Sequence, residues 1–337
     1  MKRVSLKDIA KLAGVSPSTV SFVLNGKAKQ MRISQALTDK IIEIAKNEGY
    51  QPNPVAVSLR TGRSQMLGLV VENISGDFFG SLARIIEDEA AVFGYKVVYC
   101  STENNTKKGH ELLQMLSQQQ VDGYIITPTE GMESDIQELV SRKKPVVLMD
   151  SYFPGIDVLY VLVNNYEGVM QGMDHLVERG IKRIGFITVD LGLVQMQQRK
   201  QGYLESLKKH NLPFDEKLVL YTRYQQSHDE TIKQIKAFIT GNPDMQALFF
   251  ATNYLGLLGL ESIHELDMKL PADMAMISFD DHDVFRLYPP GITSIRQPVE
   301  DIARTAMQLL MSQLGKTEEV ATSKVEIPAR LVKRGTT

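Results

Sequence analysis

The sequence predicts an α/β protein in which a small helical head precedes a body of two similar lobes, each a doubly wound parallel sheet. Short helical segments separated by Gly14 and Ser16-Pro17 indicate the head. From Gln65 onward, short apolar runs alternate with amphipathic stretches, which is typical of parallel sheets with helices on both faces. A length of 337 residues suits two or three such compact units.

Charge is distributed unevenly along the chain. The net charge is −2, yet residues 1–63 hold 11 Lys and Arg against 4 Asp and Glu, whereas the remainder holds 27 against 36. A cationic head on an anionic body favours binding of a polyanion through the head alone. A chance cluster of solvated lysines is the alternative interpretation. The overall composition, with 43% hydrophobic and 23% charged residues, is ordinary for a globular protein.

The head is predicted to begin with two short helices. Ser5 and Asp8 have the capping-box spacing that opens a helix, and Gly14 ends the helical periodicity. Ser16 then supplies a hydroxyl cap, and Pro17 occupies the first turn of a second helix, where its missing N–H does no harm. Two short helices across a glycine turn are the helix-turn-helix arrangement, whose second helix enters the major groove of DNA.

A third helix over residues 34–48 completes the core of the head, and a shorter helix follows. Asn53 caps this short helix, Pro54 takes its first position, and only about two turns follow before Gly62. Isolated helices need roughly 12–15 residues to be stable in water. We therefore expect the short helix to fold only against partners, namely DNA and the same helix of a second subunit.

The elements of the body are predicted from the same alternation of apolar and amphipathic segments. The first set comprises strands at 66–71, 96–100, 123–127 and 145–149, with helices near 79–93, 107–119 and 132–142. The second set begins near Tyr160 and comprises strands at 184–188, 218–221, 247–250 and 274–279, with helices near 167–179, 197–209, 228–240 and 254–265. Ligands bind beyond the carboxyl ends of the strands in open α/β sheets, so two lobes predict a ligand cleft between them.

Several motifs occur in a fixed order along the chain. They are Val15-Ser-Pro-Ser-Thr-Val-Ser21, Leu24-Asn25, Tyr50-x-Pro52-Asn53-x-x-Ala56-x-x-Leu59, Ser278-Phe-Asp280-Asp281 and Thr293-Ser-Ile-Arg-Gln297-Pro298. Together they resemble the lac repressor family of bacterial transcriptional regulators, over essentially the whole chain. The resemblance implies a body of the type I periplasmic-binding-protein-like fold, with the short helix after the head acting as a hinge.

The resemblance also implies the domain boundaries. The head would span 1–52, the hinge helix and linker 53–63, the first lobe 64–162 plus 291–321, and the second lobe 163–290 plus 322–334. The chain would cross between the lobes near 162, 290 and 322. The helix at 299–314 would then return to the first lobe and the strand at 324–331 to the second.

Candidate DNA-binding residues lie in the second helix, the loop after it and the hinge. Pro17, Ser18 and Phe22 match the base-reading positions of the family. The family usually has arginine where this chain has Phe22. Phenylalanine can pack on a thymine methyl, but it cannot form the bidentate hydrogen bonds that arginine makes with guanine. Packing of Phe22 into the core of the head is the alternative. The full set is Ser5, Ser16, Pro17, Ser18, Thr19, Ser21, Phe22, Asn25, Lys29, Arg32, Asn53, Ala56 and Leu59.

Two parts of this set have alternatives that the sequence leaves open. The loop after the second helix carries Lys27, Lys29 and Arg32, which either reach phosphates or stay solvated. Leu59 matches the minor-groove wedge of the family, an apolar side chain that inserts between base steps and kinks the duplex. Its alternative is packing on its own lobe.

Candidate effector-binding residues lie mainly at predicted strand ends that face the cleft. Arg199 stands in Arg-x-x-Gly202-Tyr203, which resembles the ligand-contacting arginine motif of the family. The full set is Phe78, Phe79, Thr127, Asp150, Arg199, Tyr224, Asn253 and Asp280. Carboxylates, an amide, a guanidinium and aromatic faces together suit a small polyol or sugar. A nucleobase stacked on Phe78 or Phe79 stays open, and so does a purely structural role, such as Asp280 shaping its turn.

Enzyme, metal and cofactor signatures are missing from the sequence. There is no Gly-x-Gly-x-x-Gly after the first strand, no Walker A motif, no Gly-x-Ser-x-Gly and no His-Glu-x-x-His. The six histidines are scattered singly, and the single cysteine, Cys100, excludes an intrachain disulfide and a cysteine-ligated metal site. We expect no catalysis, no cofactor and no metal. The N-terminus lacks a signal-peptide apolar region and no run of 18 apolar residues occurs, so we expect a cytoplasmic protein.

These observations predict a ligand-responsive, DNA-binding transcriptional regulator that acts as a repressor. The expected partners are a pseudo-palindromic double-stranded operator, a small-molecule effector of the sugar or purine type, and further copies of the chain in a homodimer or tetramer, with no membrane partner. A sugar-binding transport component with the same body is one alternative, which the missing signal peptide and the cationic head disfavour. An enzyme on doubly wound lobes is another, which the missing phosphate loop disfavours.

Overall fold

The chain forms two compact units, Met1–Ser64 and Gln65–Thr337, which we name the head and the body. The computed structural model describes residues 4–51, 57–58, 61–318 and 324–337. The hinge predictions for Asn53, Ala56 and Leu59 concern residues outside the described ranges. Val57 and Ser58 are helical.

The head is a small helical unit, as predicted. Its described helices are α1 (Leu6–Ala13), α2 (Pro17–Leu24) and α3 (Gln35–Asn47). The Ser5 side chain accepts a hydrogen bond from the Asp8 backbone and the Asp8 carboxylate accepts one from the Ser5 backbone, so the capping box forms. Gly14 ends α1 with φ of 73°, a left-handed conformation that favours glycine. The helices share a core of Ile9, Ala10, Ala13, Val20, Val23, Ile41 and Ala45.

The body alternates strands and helices along the chain. Its first part contains β1 (Met66–Val71), α4 (Asp77–Val92), β2 (Lys96–Ser101), α5 (Thr106–Gln118), β3 (Gly123–Ile126), α6 (Glu133–Ser141), β4 (Val146–Met149) and β5 (Leu159–Asn164). Its second part contains α7 (Asn165–Glu178), β6 (Ile184–Val189), α8 (Val194–Lys209), β7 (Val219–Thr222), α9 (His228–Thr240), β8 (Ala247–Phe250), α10 (Asn253–Glu265), β9 (Ala275–Phe279) and α11 (Asp283–Leu287). The chain then continues through β10 (Thr293–Arg296), α12 (Val299–Gln313), β11 (Lys324–Pro328) and β12 (Arg330–Val332).

Two sheets organise the body, each at the centre of one lobe. The first has the order β11-β5-β4-β3-β1-β2 and is parallel throughout, and the second has the order β12-β10-β9-β8-β6-β7, with β12 antiparallel to β10. Central strands such as β4, β6 and β9 are buried along their whole length, which requires cover on both faces of the sheet. The predicted fold class of a helical head and two doubly wound lobes is confirmed.

The structure corrects the predicted membership of two segments. The strand β5 runs through Asn164 in the first sheet, so the first crossing lies just after 164, close to the predicted position near 162. The strand β10, placed by the expected boundary at 291 in the first lobe, pairs with β9 in the second sheet. The segment 324–331 was expected in the second lobe, but β11 pairs with β5 in the first sheet and only β12 joins the second. Sheet pairing joins residues far apart in sequence, and local periodicity carries no information on the partner strand.

No helix within the described ranges has both the length and the apolar character needed to cross a membrane.

Candidate functional site

One face of α2 in the head is free for contacts outside the protein. Val20 and Val23 are buried, whereas Ser18 on another face is exposed and Phe22 is half-buried. Phe22 is not one of the described residues that pack against the core of the head. This placement disfavours the alternative in which Phe22 is part of the core, and it leaves the ring available to a base edge.

The two ends of α2 are capped by side chains from the predicted DNA-binding set. Ser16 Oγ accepts from the Thr19 backbone N–H at 3.2 Å and lies 2.9 Å from Thr19 Oγ1. At the other end of the helix, Asn25 Nδ2 donates to the Ser21 carbonyl at 2.6 Å. A helix of only eight residues is marginal by itself, so these contacts at its ends help to hold it in place.

The loop after α2 is built from successive turns that expose its cations. Backbone hydrogen bonds from Met31 to Lys27 at 3.0 Å and from Arg32 to Lys29 at 3.2 Å stabilise it. Lys27, Lys29 and Arg32 are all exposed, and Arg32 has φ of 55°. The loop therefore presents positive charge in a defined backbone conformation.

A cavity of about 320 Å³ lies between the lobes of the body, at the carboxyl ends of strands from both sheets. Of the eight predicted effector-binding residues, all of them described, seven line this cavity: Phe78, Phe79, Asp150, Arg199, Tyr224, Asn253 and Asp280. Thr127, which follows β3 and whose backbone N–H donates to Val70 at 2.8 Å, is not in the lining. The topology thus brings most of the set together, from segments far apart in sequence.

Arg199 is the buried centre of the cavity, with 2% of its surface exposed. Its Nε donates to Asn165 Oδ1 at 2.8 Å and its Nη1 donates to the Ala251 carbonyl at 2.7 Å. The guanidinium carbon lies 3.7 Å from the centroid of the Phe279 ring, and Nη1 lies 3.7 Å from Asp280 Oδ2. The guanidinium is therefore held by the crossing segment at Asn165 and by the ends of two strands, with a carboxylate beside it.

Asp150 and Asp280 occupy equivalent positions in the two lobes. Each directly follows a strand, β4 or β9, and each has a left-handed backbone, with φ of 68° and 65°. The Asp150 N–H donates to Val161 in β5 at 3.1 Å, and the Asp280 N–H donates to Ile295 in β10 at 2.9 Å. This shared geometry puts both carboxylates on the cavity wall. Aspartate tolerates the left-handed region better than most residues.

Burial raises the pKa of several cavity carboxyls. The pKa of Asp150 rises to about 7, because burial and the nearby Asp280 and Glu72 outweigh the attraction of Arg199. Burial likewise raises the pKa of Asp280 and of Glu72, although Arg199 lowers both. Burial lowers the pKa of Arg199, against the three carboxylates that raise it. Burial thus disfavours the charged form of each of these groups in a poorly solvated space.

Polar contacts between the lobes surround the cavity. They include Gln195 Nε2 to Asp150 Oδ2 at 3.2 Å, Gln225 Nε2 to the Glu103 carbonyl at 3.1 Å and His282 Nε2 to Asp77 Oδ2 at 2.6 Å. His282 Nδ1 accepts from the Val284 backbone at 3.0 Å, so Nε2 carries the proton that is donated to Asp77. A change in the angle between the lobes would break contacts of this kind.

Buried acceptor atoms in the cavity are left without partners. Within the described residues, Asp150 Oδ1, Gln195 Oε1 and Gln297 Oε1 have no hydrogen-bond partner, and these side chains are only 7%, 3% and 4% exposed. Buried polar atoms are normally satisfied, by protein, water or ligand. These acceptors indicate a ligand or waters that donate hydrogen bonds, and the unpartnered Gln226 Nε2 of the same lining offers one donor in return.

Sequence reasoning missed several residues of this cavity. Glu72, Gln195, Tyr254 and Gln297 also line it. Glu72 directly follows β1, so the rule that ligands bind at strand carboxyl ends was sufficient to find it. Gln195 precedes Arg199 by one helical turn on α8, and this spacing places the two on one helix face.

A larger open groove of about 1050 Å³ adjoins the cavity and shares Asp77, Phe78, Asp280 and Gln297 with it. Exposed charged side chains form much of its lining, and some of them pair with each other, as Arg304 Nε does with Glu89 Oε1 at 3.2 Å. The smaller cavity, with its buried arginine and unpartnered acceptors, is the better candidate for a specific ligand site.

Two family profiles match the chain. Residues 5–53 match bacterial regulatory proteins of the lacI family, and residues 173–337 match the periplasmic binding protein-like domain. The ribose operon repressor of Halalkalibacterium halodurans is 30% identical, over 99% of this chain and 97% of that protein. The relative is thus similar along its whole length.

Solved structures show the same architecture. A complex of the transcriptional regulator CelR with cellobiose is 26% identical and has a TM-score of 0.72, over 99% of this chain and 100% of that chain. The lac repressor dimer bound to operator and the anti-inducer ONPF is 22% identical and has a TM-score of 0.85, over 99% of each chain, a likeness that concerns the fold.

The raised pKa of Asp150 predicts a pH-dependent effect of Asp150→Asn on stability. The folded protein holds a proton on Asp150 up to about pH 7, whereas the unfolded chain releases it near pH 4. Its contribution to the free energy of unfolding is therefore lost as the pH rises through this window, and asparagine has no proton to lose. We expect the Tm difference, variant minus wild type, to be roughly 5–10 °C more positive at pH 8 than at pH 5.

The matched control is Asp157→Asn, which removes a fully exposed carboxylate of the same lobe. Its Tm difference from wild type should be the same at both pH values. Equal shifts for Asp150→Asn at pH 5 and pH 8 would contradict the raised pKa.

Proposed function

Because this chain belongs to the lacI family of bacterial regulatory proteins, we propose that it represses transcription and that a small molecule in the body cavity controls its affinity for DNA. The protein is a DNA-binding transcriptional regulator. The observation that supports control by a ligand is the cavity between the lobes, where Arg199 is held and Asp150, Gln195 and Gln297 keep unpartnered acceptors. If the lobes only packed against each other, we would expect these buried acceptors to have partners within the protein.

The head supplies the DNA-binding surface in this proposal. The second helix, α2, enters the major groove with Ser18 and Phe22 toward the bases, and Phe22 packs on a thymine methyl. Lys29 and Arg32 in the following loop contact phosphates, which fix the register without specifying sequence. A homodimer places two heads on the two half-sites of a pseudo-palindromic operator, and a dimer of dimers is compatible with the same contacts.

The effector is a sugar or sugar derivative in this proposal. Donors on a polyol match the unpartnered acceptors, and the aromatic rings of Phe78 and Tyr224 can cover the apolar side of a sugar ring. The names of two similar proteins point the same way, since one is a ribose operon repressor and the other was solved with cellobiose. A purine or nucleoside is the second candidate, because Phe78 and Phe79 form an edge-to-face pair at the wall, with centroids 5.0 Å apart.

Linkage between the cavity and the head is the proposed mechanism. The ligand changes the angle between the lobes, and this changes whether the hinge helices of two subunits fold together on DNA. By reciprocity, operator DNA changes the affinity for the effector by the same factor. The proposal includes no catalytic step and no cofactor, and a regulator of bacterial genes acts in the cytoplasm.

The first prediction concerns the DNA footprint. We expect a protected site of about 14–20 bp with two half-sites about one helical turn apart, because the two heads of a dimer bind two-fold related sequences. Affinity should fall steeply with salt. Lys29→Ala should weaken binding to operator and to random DNA alike, and it should lower the log–log salt slope by about 1 for each phosphate that is no longer neutralised. Footprinting and binding titrations from about 50 to 200 mM salt test this. A footprint over a single half-site would refute the dimer arrangement.

The second prediction concerns Leu59, which lies outside the described residues. Leu59→Ala should weaken specific binding and reduce the bend of the bound operator, because unstacking a base step costs a few kcal/mol that the inserted side chain helps to offset. Nonspecific binding should change little. Val57→Ala, a truncation in the same short segment, is the control in a DNA-bending assay. Equal bending by wild type and Leu59→Ala would assign Leu59 to packing instead.

The third prediction separates two adjacent aspartates. Asp280 lines the cavity, whereas Asp281 pairs with Arg334 at 2.8 Å and with Arg296, and its pKa is lowered to about 2 despite burial. Asp280→Asn should lower effector affinity about tenfold or more, because the ligand would then have no charged partner at this position. Asp281→Asn should lower the Tm by several degrees and keep the effector response.

Thermal unfolding and operator release by the effector are the two measurements for this pair of variants. A folded Asp280→Asn protein with an unchanged effector response would remove Asp280 from the ligand site. Loss of the response in Asp281→Asn at a temperature where it is folded would remove the distinction between the two positions.

A further inference from the structure

The charges that line the cavity do not balance. Glu72, Asp150 and Asp280 approach from strand ends of the two lobes, while Arg199 is the cation on the buried wall. At the mouth, Asp77 and Arg223 are both exposed and offset each other. Among the described lining residues, acidic groups therefore outnumber basic ones, and the excess lies in the interior part of the cavity.

Arg199 is already shared among groups of the protein itself. Two of its nitrogens already donate to Asn165 and to the Ala251 carbonyl, and Asp280 lies 3.7 Å from Nη1. One face of its guanidinium is covered by Phe279. A phosphate or carboxylate would have to compete with a carboxylate of the protein for this cation.

Among the described residues of the cavity lining, three of the four unpartnered buried atoms have the opposite preference, whereas the fourth, Gln226 Nε2, is a donor. Asp150 Oδ1, Gln195 Oε1 and Gln297 Oε1 are acceptors, and they are buried without partners among the described residues. Each requires an N–H or O–H group from a ligand or a water. Oxygens of a phosphate monoester are mainly acceptors, so they cannot satisfy these positions.

The charge of Glu72 affects whether the cavity binds a neutral or an anionic ligand. It is half-buried directly after β1, in the first lobe, and it hydrogen bonds with Tyr224 of the second lobe. Its charge acts on Asp150, Asp280 and Arg199, and burial raises the pKa of all three carboxyl groups, which indicates that further negative charge here is unfavourable.

We propose that Glu72 makes the cavity selective for charge: the effector is a hydrogen-bond donor-rich compound without a phosphate or carboxylate group, and Glu72 is the residue that excludes anionic forms of the same skeleton. The inference rests on the proposed function, because it concerns the ligand of the same cavity. It predicts that the regulator responds to an unphosphorylated compound and ignores the phosphate ester made from it. A like charge next to a buried carboxylate is strongly disfavoured, whereas a hydroxyl at that place donates to it.

The test uses matched pairs of a neutral compound and its phosphate monoester: ribose and ribose 5-phosphate, glucose and glucose 6-phosphate, adenosine and adenosine 5′-phosphate. The full-length protein is compared as wild type, Glu72→Gln and Glu111→Gln, the last removing an exposed carboxylate on α5. Binding is measured by thermal shift and calorimetry, and operator release is measured in parallel. Glutamine keeps the size of Glu72 and an oxygen for Tyr224.

For the pair that binds, we expect wild type and Glu111→Gln to prefer the neutral member by about 100-fold or more, and Glu72→Gln to reduce this preference at least about tenfold. The neutral member should still bind Glu72→Gln within a few fold. A phosphate ester that binds wild type as tightly as its neutral parent would overturn the inference and leave the proposed function intact. An unchanged preference in a folded Glu72→Gln protein would remove the role of Glu72. If no compound of either charge binds or releases DNA, the proposed function fails and the inference fails with it.

Discussion

Burying a guanidinium is costly unless its charge and its N–H groups find partners, and the body of this protein is arranged around one such group, Arg199. The partners come from separate parts of the chain: Asn165 at the crossing between the lobes, Ala251 at the end of β8, and Asp280 at the end of β9. Satisfying this one side chain therefore requires the second sheet, the crossing segment and α8 to be in register. The acidic side chains around Arg199 line the same cavity and are available to a ligand.

The two lobes use the same local geometry to place an aspartate on the cavity wall. In each, an aspartate leaves the strand in a left-handed conformation and its N–H closes onto the neighbouring strand. Asp150 and Asp280 thereby reach one cavity from two sheets, and the Gln195 side chain of the second lobe donates to Asp150 of the first. A ligand that binds both lobes is recognised only at one angle between them. This dependence is what makes such a cavity suitable for controlling a conformational equilibrium.

The chain separates two kinds of recognition into two units. The head carries excess positive charge and short capped helices, as required for a polyanion that is read in a groove. The cavity of the body carries excess negative charge and buried acceptors, as required for a small donor-rich compound. The DNA and the proposed effector therefore require opposite chemistry from the two units and do not compete for the same groups.

The sequence by itself determined the helices of the head, the fold class and most of the strand ends that line the cavity, because caps, turns and apolar periodicity are local signals. Asp150 and Asp280 could be named because each ends an apolar strand. The tertiary structure alone decided that β11 pairs with β5, that Thr127 does not line the cavity and that the carboxyl groups of both lobes come close enough to Arg199 to act on its charge. These outcomes depend on which distant segments become neighbours and on how water is excluded between them. Neither is encoded in the spacing of residues along the chain.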